Sequence, residues 1–182
     1  MPGRRGLPVS ATGRGGMRKA NDFYETPEPC TLALLPFLPP GPVLDPCCGD
    51  RAILRVMDAD GRAPNRGMDV DPARAADVWC DALAVPWGWA SGLVVTNPPY
   101  SLAEKFVRKA LAEVGHRGTV AMLLRLPFLE SLARVDLHAK HPSDVLIFAK
   151  RPSFTGDGKT DATAYAWFVW GPGRGGRWAV LT

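Results

Sequence analysis

Gly92-Leu93-Val94-Val95-Thr96-Asn97-Pro98-Pro99-Tyr100 reads as a buried strand running into a stiff polar turn. Leu93 to Thr96 form a short apolar, β-branched run of the kind that fills the middle of a parallel sheet. At its end stand a polar side chain, two prolines and an aromatic ring. In open α/β sheets, the carboxyl ends of the strands are where ligands bind. Pro98 and Pro99 fix φ and remove two backbone donors, so the turn offers carbonyl acceptors and cannot relax into helix. Asn97 adds a side-chain acceptor and Tyr100 a flat face. Acceptors beside an aromatic plate suit a flat heterocycle bearing an NH2 group. The bland alternative is a proline-rich turn that only ends a strand.

Working outward, Gly41-Pro42-Val43-Leu44-Asp45-Pro46-Cys47-Cys48-Gly49-Asp50 reads as turn, strand and tight acidic loop. Arg51 to Asp60 follow with Ile53, Leu54, Val56 and Met57 at helical spacing. Strand, loop and helix make the first half of a nucleotide-binding βαβ unit. This loop carries one glycine and several carboxylates, so it suits a cation better than a pyrophosphate. Arg66 to Pro72 predict a second strand ending in Asp69 and Asp71, and Val78 to Leu83 a third containing Asp81. Ser101 to Val114 place Leu102, Phe106, Ala110, Leu111 and Val114 on one helical face, with Glu104 and Lys105 outward. That is a crossover helix returning to a parallel strand over Thr119 to Leu126. Asp144 to Ala149 and Ala164 to Trp170 predict two more strands, possible partners in a hairpin. Arg177 to Leu181 are strand-like, with no partner evident from the sequence.

Upstream, Asn21-Asp22-Phe23-Tyr24-Glu25-Thr26-Pro27 precede a predicted helix from Pro27 to Leu35, with Thr26 as its cap and Pro27 at its first position. Asn97 to Tyr100 resemble motif IV of the S-adenosylmethionine (SAM)-dependent amino-methyltransferases. Asp45 to Gly49 resemble their motif I, D-P-x-x-G-x-G, departing at the last position, where Arg51 stands for glycine. Asp22 to Pro27 are similar to the D-x-Y-x-T-P segment, motif X, of phage-type DNA adenine methyltransferases. The order X, I, IV resembles the γ arrangement, and residues 151–158 with 164–170 also look like that group. The resemblance spans about residues 21–170 and is closest to small phage and prophage DNA N6-adenine methyltransferases. It implies an α/β, Rossmann-like methyltransferase fold: a mostly parallel sheet with a C-terminal antiparallel hairpin.

The resemblance also implies roles. Asn97, Pro98, Pro99 and Tyr100 would hold and stack the target base. Phe23 or Tyr24 would lie against the sulfonium, beside Thr26 and Pro27. Asp45, Pro46, Cys48, Gly49 and Asp50, together with Asn97, would surround SAM. Asp69 would take the ribose diol, at about the usual 20 residues from the motif I strand, with Asp71 as competitor. Asp81 would meet the adenine N6 of the cofactor. The partner would be double-stranded DNA with the target adenine flipped out. N4-cytosine methylation uses the same geometry. Glutamine or RNA N-methylation, and an inactive DNA-binding fold with Arg51 as its mark, are the more distant readings.

Composition sets outer bounds. The chain has 182 residues, 46% of them hydrophobic, enough for one core. It has no apolar run long enough to span a membrane and no signal-peptide pattern. Cys30, Cys47, Cys48 and Cys80 show no zinc-ligand spacing, so no metal is expected and a reducing cytoplasm is the natural compartment. Arg4, Arg5, Arg14, Arg18 and Lys19 make residues 1–20 more basic than the net charge of +4 for the whole chain. Residues 1–20 are expected to be a disordered, Gly/Arg-rich tail and residues 21–182 one methyltransferase domain without a large target-recognition domain. The polar stretch from Lys150 to Thr163, with Arg151, Phe154, Lys159 and the following Trp167, is a candidate DNA-contacting loop. His116, His138 and His141 read as surface or loop residues.

Overall fold

A computed structural model describes residues 25–89, 92–154, 160 and 162–182. The basic tail, Phe23, Tyr24 and Lys159 lie outside the described residues. Eight strands form one sheet: β1 (Leu44–Asp45), β2 (Arg66–Asp69), β3 (Val78–Trp79), β4 (Leu93–Thr96), β5 (Thr119–Arg125), β6 (Asp144–Phe148), β7 (Tyr165–Trp170) and β8 (Trp178–Leu181). Their spatial order is β3-β2-β1-β4-β5-β7-β6-β8. β1 pairs in parallel with β2 and with β4, and β4 with β5. β7 runs antiparallel between β5 and β6. The chain therefore steps from β1 toward one edge, then returns to the other side of β1 at β4. That reversal is the switch point where open sheets bind ligands.

Strand periodicity divides the core into two layers. Leu93, Val95, Ala121, Leu123, Trp167 and Val169 face one side, where they meet Ile53, Leu54 and Met57 of α2 (Ala52–Ala59). Val94, Val120, Met122, Leu124, Phe168 and Trp170 face the other, against Phe106, Val107 and Ala110 of α3 (Ala103–Val114). α2 buries the stripe that its sequence spacing predicts, Ile53, Leu54, Val56 and Met57, whereas α3 buries Ala103, Phe106, Val107 and Ala110, with Leu111 and Val114 of the expected face only half-buried and Leu102 in the preceding 3-10 turn. Full burial of each Leu, Val, Ile, Phe or Met is worth about 1.5–3 kcal/mol, so these stripes, not helix propensity, hold both helices. Gly67 lets β2 approach the loop after β1: a Cβ there would lie 2.7 Å from Cys48 Sγ and 3.0 Å from Leu54 Cδ1.

Several expectations change. The first helix, α1, is only Glu28–Leu32, followed by a 3-10 turn at Leu35–Phe37, and Pro27 stands at its boundary. Thr26 does not cap α1; its hydroxyl accepts from Asn97 Nδ2 at 3.0 Å. The third strand stops at Trp79, because the chain turns at Asp81, whose carboxylate accepts from the Leu83 amide at 2.9 Å. Trp167 belongs to no DNA-contacting loop: it is fully buried in β7 and donates to the Cys30 carbonyl at 2.8 Å, tying α1 to the sheet. Phe154 packs against Tyr165, with ring centres 4.9 Å apart. His138 is half-buried edge-on to Phe128, in the short α4 (Val135–Lys140), whereas His116 and His141 are exposed.

The unplaced C-terminal segment is β8, an edge strand parallel to β6. Asp144, 3% exposed, explains its position. Its carboxylate accepts from the Gly175 and Arg177 amides at 3.1 and 3.2 Å and from the Arg174 and Arg177 guanidiniums at 3.2 and 2.8 Å. Burial pushes its pKa up, but these bonds outweigh burial and hold it at about 2.

Candidate functional site

A cavity opens at the carboxyl ends of β1, β2 and β4. Its walls come from every motif at once: Thr26; Asp45, Pro46, Cys48 and Asp50; Asp69 and Asp71; Asp81; Asn97 and Pro99. Ile53, Val70, Leu83, Leu102 and Phe106 supply apolar surface. Glu25, Asp45, Asp50, Asp69, Asp71 and Asp81 face it with carboxylates, and Arg74 is the one cation among its described lining residues. Such a site favours a cationic ligand with an apolar body over a phosphate. Among the described residues, no group of three or more His, Cys, Asp or Glu is arranged to hold a metal. Nor is any helix among them long and apolar enough to cross a membrane.

Asp45 is a strongly perturbed carboxylate in this cavity wall. It is 1% exposed, and its carboxylate accepts from the Cys47 amide at 3.0 Å. Burial pushes its pKa up to about 7; the neighbouring Thr96 hydroxyl and the Cys47 amide oppose the rise, and the Asp69 charge adds to it. The acid therefore changes charge near neutrality. The Cys47 thiol, half-buried in the cavity wall beside Asp45 and Asp69, is raised far above the ordinary range and stays neutral. That agrees with a packing role for this cysteine and not a nucleophilic one.

Asp69 closes β2 and organises two loops. Its carboxylate oxygens accept from the Gly49 amide at 2.8 Å and the Asp71 amide at 2.9 Å. Gly49, at φ 51, takes the left-handed turn that presents this amide. Arg74 bridges Asp50 at 2.9 Å and Asp71 at 3.3 Å, holding the first loop to the segment after β2. This cation was not singled out in the sequence, where it reads as an ordinary polar residue after a strand.

Arg51, which stands where the resemblance calls for glycine, has a structural explanation. Arg51 is the one non-glycine with positive φ among the described residues, at φ 65, so its backbone does what a glycine would do. Its side chain lies outside the cavity walls and pairs with Asp77 at 2.6 Å. Asp77 also accepts from the Gly67 amide at 2.6 Å. The arginine therefore braces the loop from behind and does not crowd the cavity.

At the end of β4, Asn97 turns its amide nitrogen to Thr26, 71 residues away in sequence. Pro98 is buried and Pro99 reaches the wall. Tyr100 opens a 3-10 turn, Tyr100–Leu102, and its ring stands outside the cavity wall. It packs 5.7 Å from Tyr165 at 49°, and the Arg125 guanidinium lies over it at 4.8 Å. Neither Tyr165 nor Arg125 was singled out from the sequence, since only the β5–β7 register brings them to Tyr100.

No family model matches the chain, and no curated protein is similar to it in sequence. Solved structures are similar to it in fold. A putative class I SAM-dependent methyltransferase from Listeria monocytogenes aligns with a TM-score of 0.64 at 14% identity, over 92% of this chain and 68% of that one. A predicted O-methyltransferase from Agrobacterium tumefaciens aligns with a TM-score of 0.53 at 14% identity, over 84% of both chains. A chain of a DrdV–DNA complex aligns with a TM-score of 0.55 at 11% identity, over 87% of this chain and 27% of that one. At these identities the likeness is one of fold: the α/β, Rossmann-like fold of class I methyltransferases.

Proposed function

We propose that the chain is a SAM-dependent methyltransferase acting on the exocyclic N6 of adenine in DNA. One observation carries the proposal. Asn97 and Pro99 stand in the wall of the same cavity that Asp45, Asp69 and Asp81 line. A cationic, adenosine-bearing cofactor and an amine substrate could thus meet at one point. The cavity chemistry fits SAM: carboxylates for an ammonium and a sulfonium, and Ile53, Val70 and Leu83 for an adenine. When bound, SAM supplies an electrophilic methyl group.

The chain's own residues then do three things. The Asn97 side-chain oxygen and the Pro98 carbonyl accept the two hydrogens of the target amine. This turns its lone pair toward the methyl and stabilises the positive charge that develops on nitrogen. Thr26 anchors the Asn97 amide from the other end. The proline pair keeps the turn rigid, so little ordering is needed when substrate arrives. A base inside a duplex cannot reach the cavity and must be flipped out, at a cost of a few kcal/mol. The DNA-bound neighbour is consistent with a nucleic-acid substrate.

The test is methyl transfer to unmethylated DNA followed by nucleoside mass spectrometry. N6-methyladenine is expected, absent in Asn97→Ala while SAM binding persists. N4-methylcytosine would keep the mechanism and change the base. Undiminished methylation by Asn97→Ala would refute the site.

A further inference from the structure

β5 runs past the end of β4. Thr96, the last residue of β4, pairs with Met122, so Arg125 stands three residues further out, on the side of the sheet's edge where Asn97 to Tyr100 emerge. The six residues of β5 before it are buried, and Arg125 is exposed. Its guanidinium covers the Tyr100 ring at 4.8 Å, and its Nε donates to the Tyr165 hydroxyl at 3.3 Å. Contacts of this kind are weak at an exposed site. A planar cation thus lies on the ring that the family resemblance assigns to stacking on the target base.

We infer that Arg125 is a nucleic-acid contact: it covers Tyr100 in the free protein, yields that face to the flipped base, and takes a backbone phosphate of the same strand. The inference rests on the DNA-methylation reading and deepens it. Charge supports it. The cofactor cavity is walled by carboxylates, so a phosphate backbone is repelled from that side. On the Tyr100 side stands a guanidinium, the group that both stacks on an aromatic ring and forks onto a phosphate. The alternative is that Arg125 only packs Tyr100 in place.

Arg125→Gln separates the two. It keeps a long stem and a donor for Tyr165 and removes the charge. Affinity for an unmethylated duplex is measured between 50 and 200 mM salt for wild type, Arg125→Gln and Arg125→Lys, alongside SAM affinity and methylation rate. A lost phosphate contact lowers the salt slope by about 0.9, so the affinity gap between wild type and Arg125→Gln should be about 3.5-fold wider at 50 mM than at 200 mM. SAM affinity should be unchanged, and Arg125→Lys should restore the slope. An unchanged slope in Arg125→Gln, with wild type active, overturns this inference and leaves the methylation reading intact. A wild type that neither binds nor methylates DNA overturns both.

Discussion

Asp45→Asn should make the free protein more stable above neutral pH and a poorer cofactor binder, two effects with one cause. Asp45 is buried and its pKa lies at about 7. An unfolded chain would ionise it near 3.9. The sign follows. Below about pH 4 both states hold the proton and the carboxyl costs nothing. As pH rises from about 4 to 7, the unfolded state gives up its proton first, so folding stability falls. Above 7 the penalty is constant, about 3 pKa units or about 4 kcal/mol, an upper figure if water reaches the ionised group. Asparagine has the same shape, keeps an acceptor for the Cys47 amide and never ionises. Denaturant titrations should therefore show the two proteins alike at pH 4 and Asp45→Asn ahead by up to about 4 kcal/mol at pH 8. Calorimetry should show the reverse for ligand. Wild-type affinity for SAM should rise about 16-fold between pH 5.5 and 7 as the carboxylate forms, a range in which the ligand's amine stays charged. Asp45→Asn should lack that rise. Equal stability of the two proteins at pH 8 would refute the argument, since a carboxylate that costs nothing to ionise is not desolvated.

Two further changes test the surroundings of the site. Thr26→Val removes the hydroxyl that holds Asn97 and keeps the side-chain shape; a net hydrogen bond is worth about 0.5–1.5 kcal/mol, so kcat should drop up to about tenfold with SAM affinity little altered. A kcat unaffected by the change would mean that Asn97 is positioned by the prolines alone. Arg51→Gly restores glycine at a left-handed position and gives up an exposed ion pair; relief of about 1 kcal/mol of strain offsets about as much lost pairing, so stability should stay within about 1 kcal/mol and SAM affinity within about twofold. A large gain in affinity by calorimetry would show that the arginine does obstruct the cavity.

Much of the architecture was legible because its signals are local. Leu93, Val94 and Val95, closed by the β-branched Thr96, specify a buried strand, and Ile53, Leu54, Val56 and Met57 specify a helix that must bury one side. The glycine and carboxylates between Asp45 and Asp50 mark a loop that turns tightly and carries charge. Alternating strands and helices then allow few arrangements, because crossovers between parallel strands keep one hand. The ends of these elements were less legible. β3 stops after two residues, since the Asp81–Leu83 bond turns the chain, and Thr26 is no helix cap, since its hydroxyl is taken by Asn97.

What the sequence by itself determined is the set of elements and the chemistry each strand end carries, because periodicity and turn residues act over a few neighbours. What only the tertiary structure decided is which of those groups meet, and in what charge state. Trp167 becomes core because Cys30, 137 residues away, accepts its indole N–H. β8 finds β6 because Asp144 gathers Arg174 and Arg177. Arg125 covers Tyr100 because of the β5–β7 register. Asp45 is poised near neutrality because residues from other strands exclude water around it. A side chain's identity is written in the chain, but its solvation and its partners are properties of the packed fold, and those set its free energy.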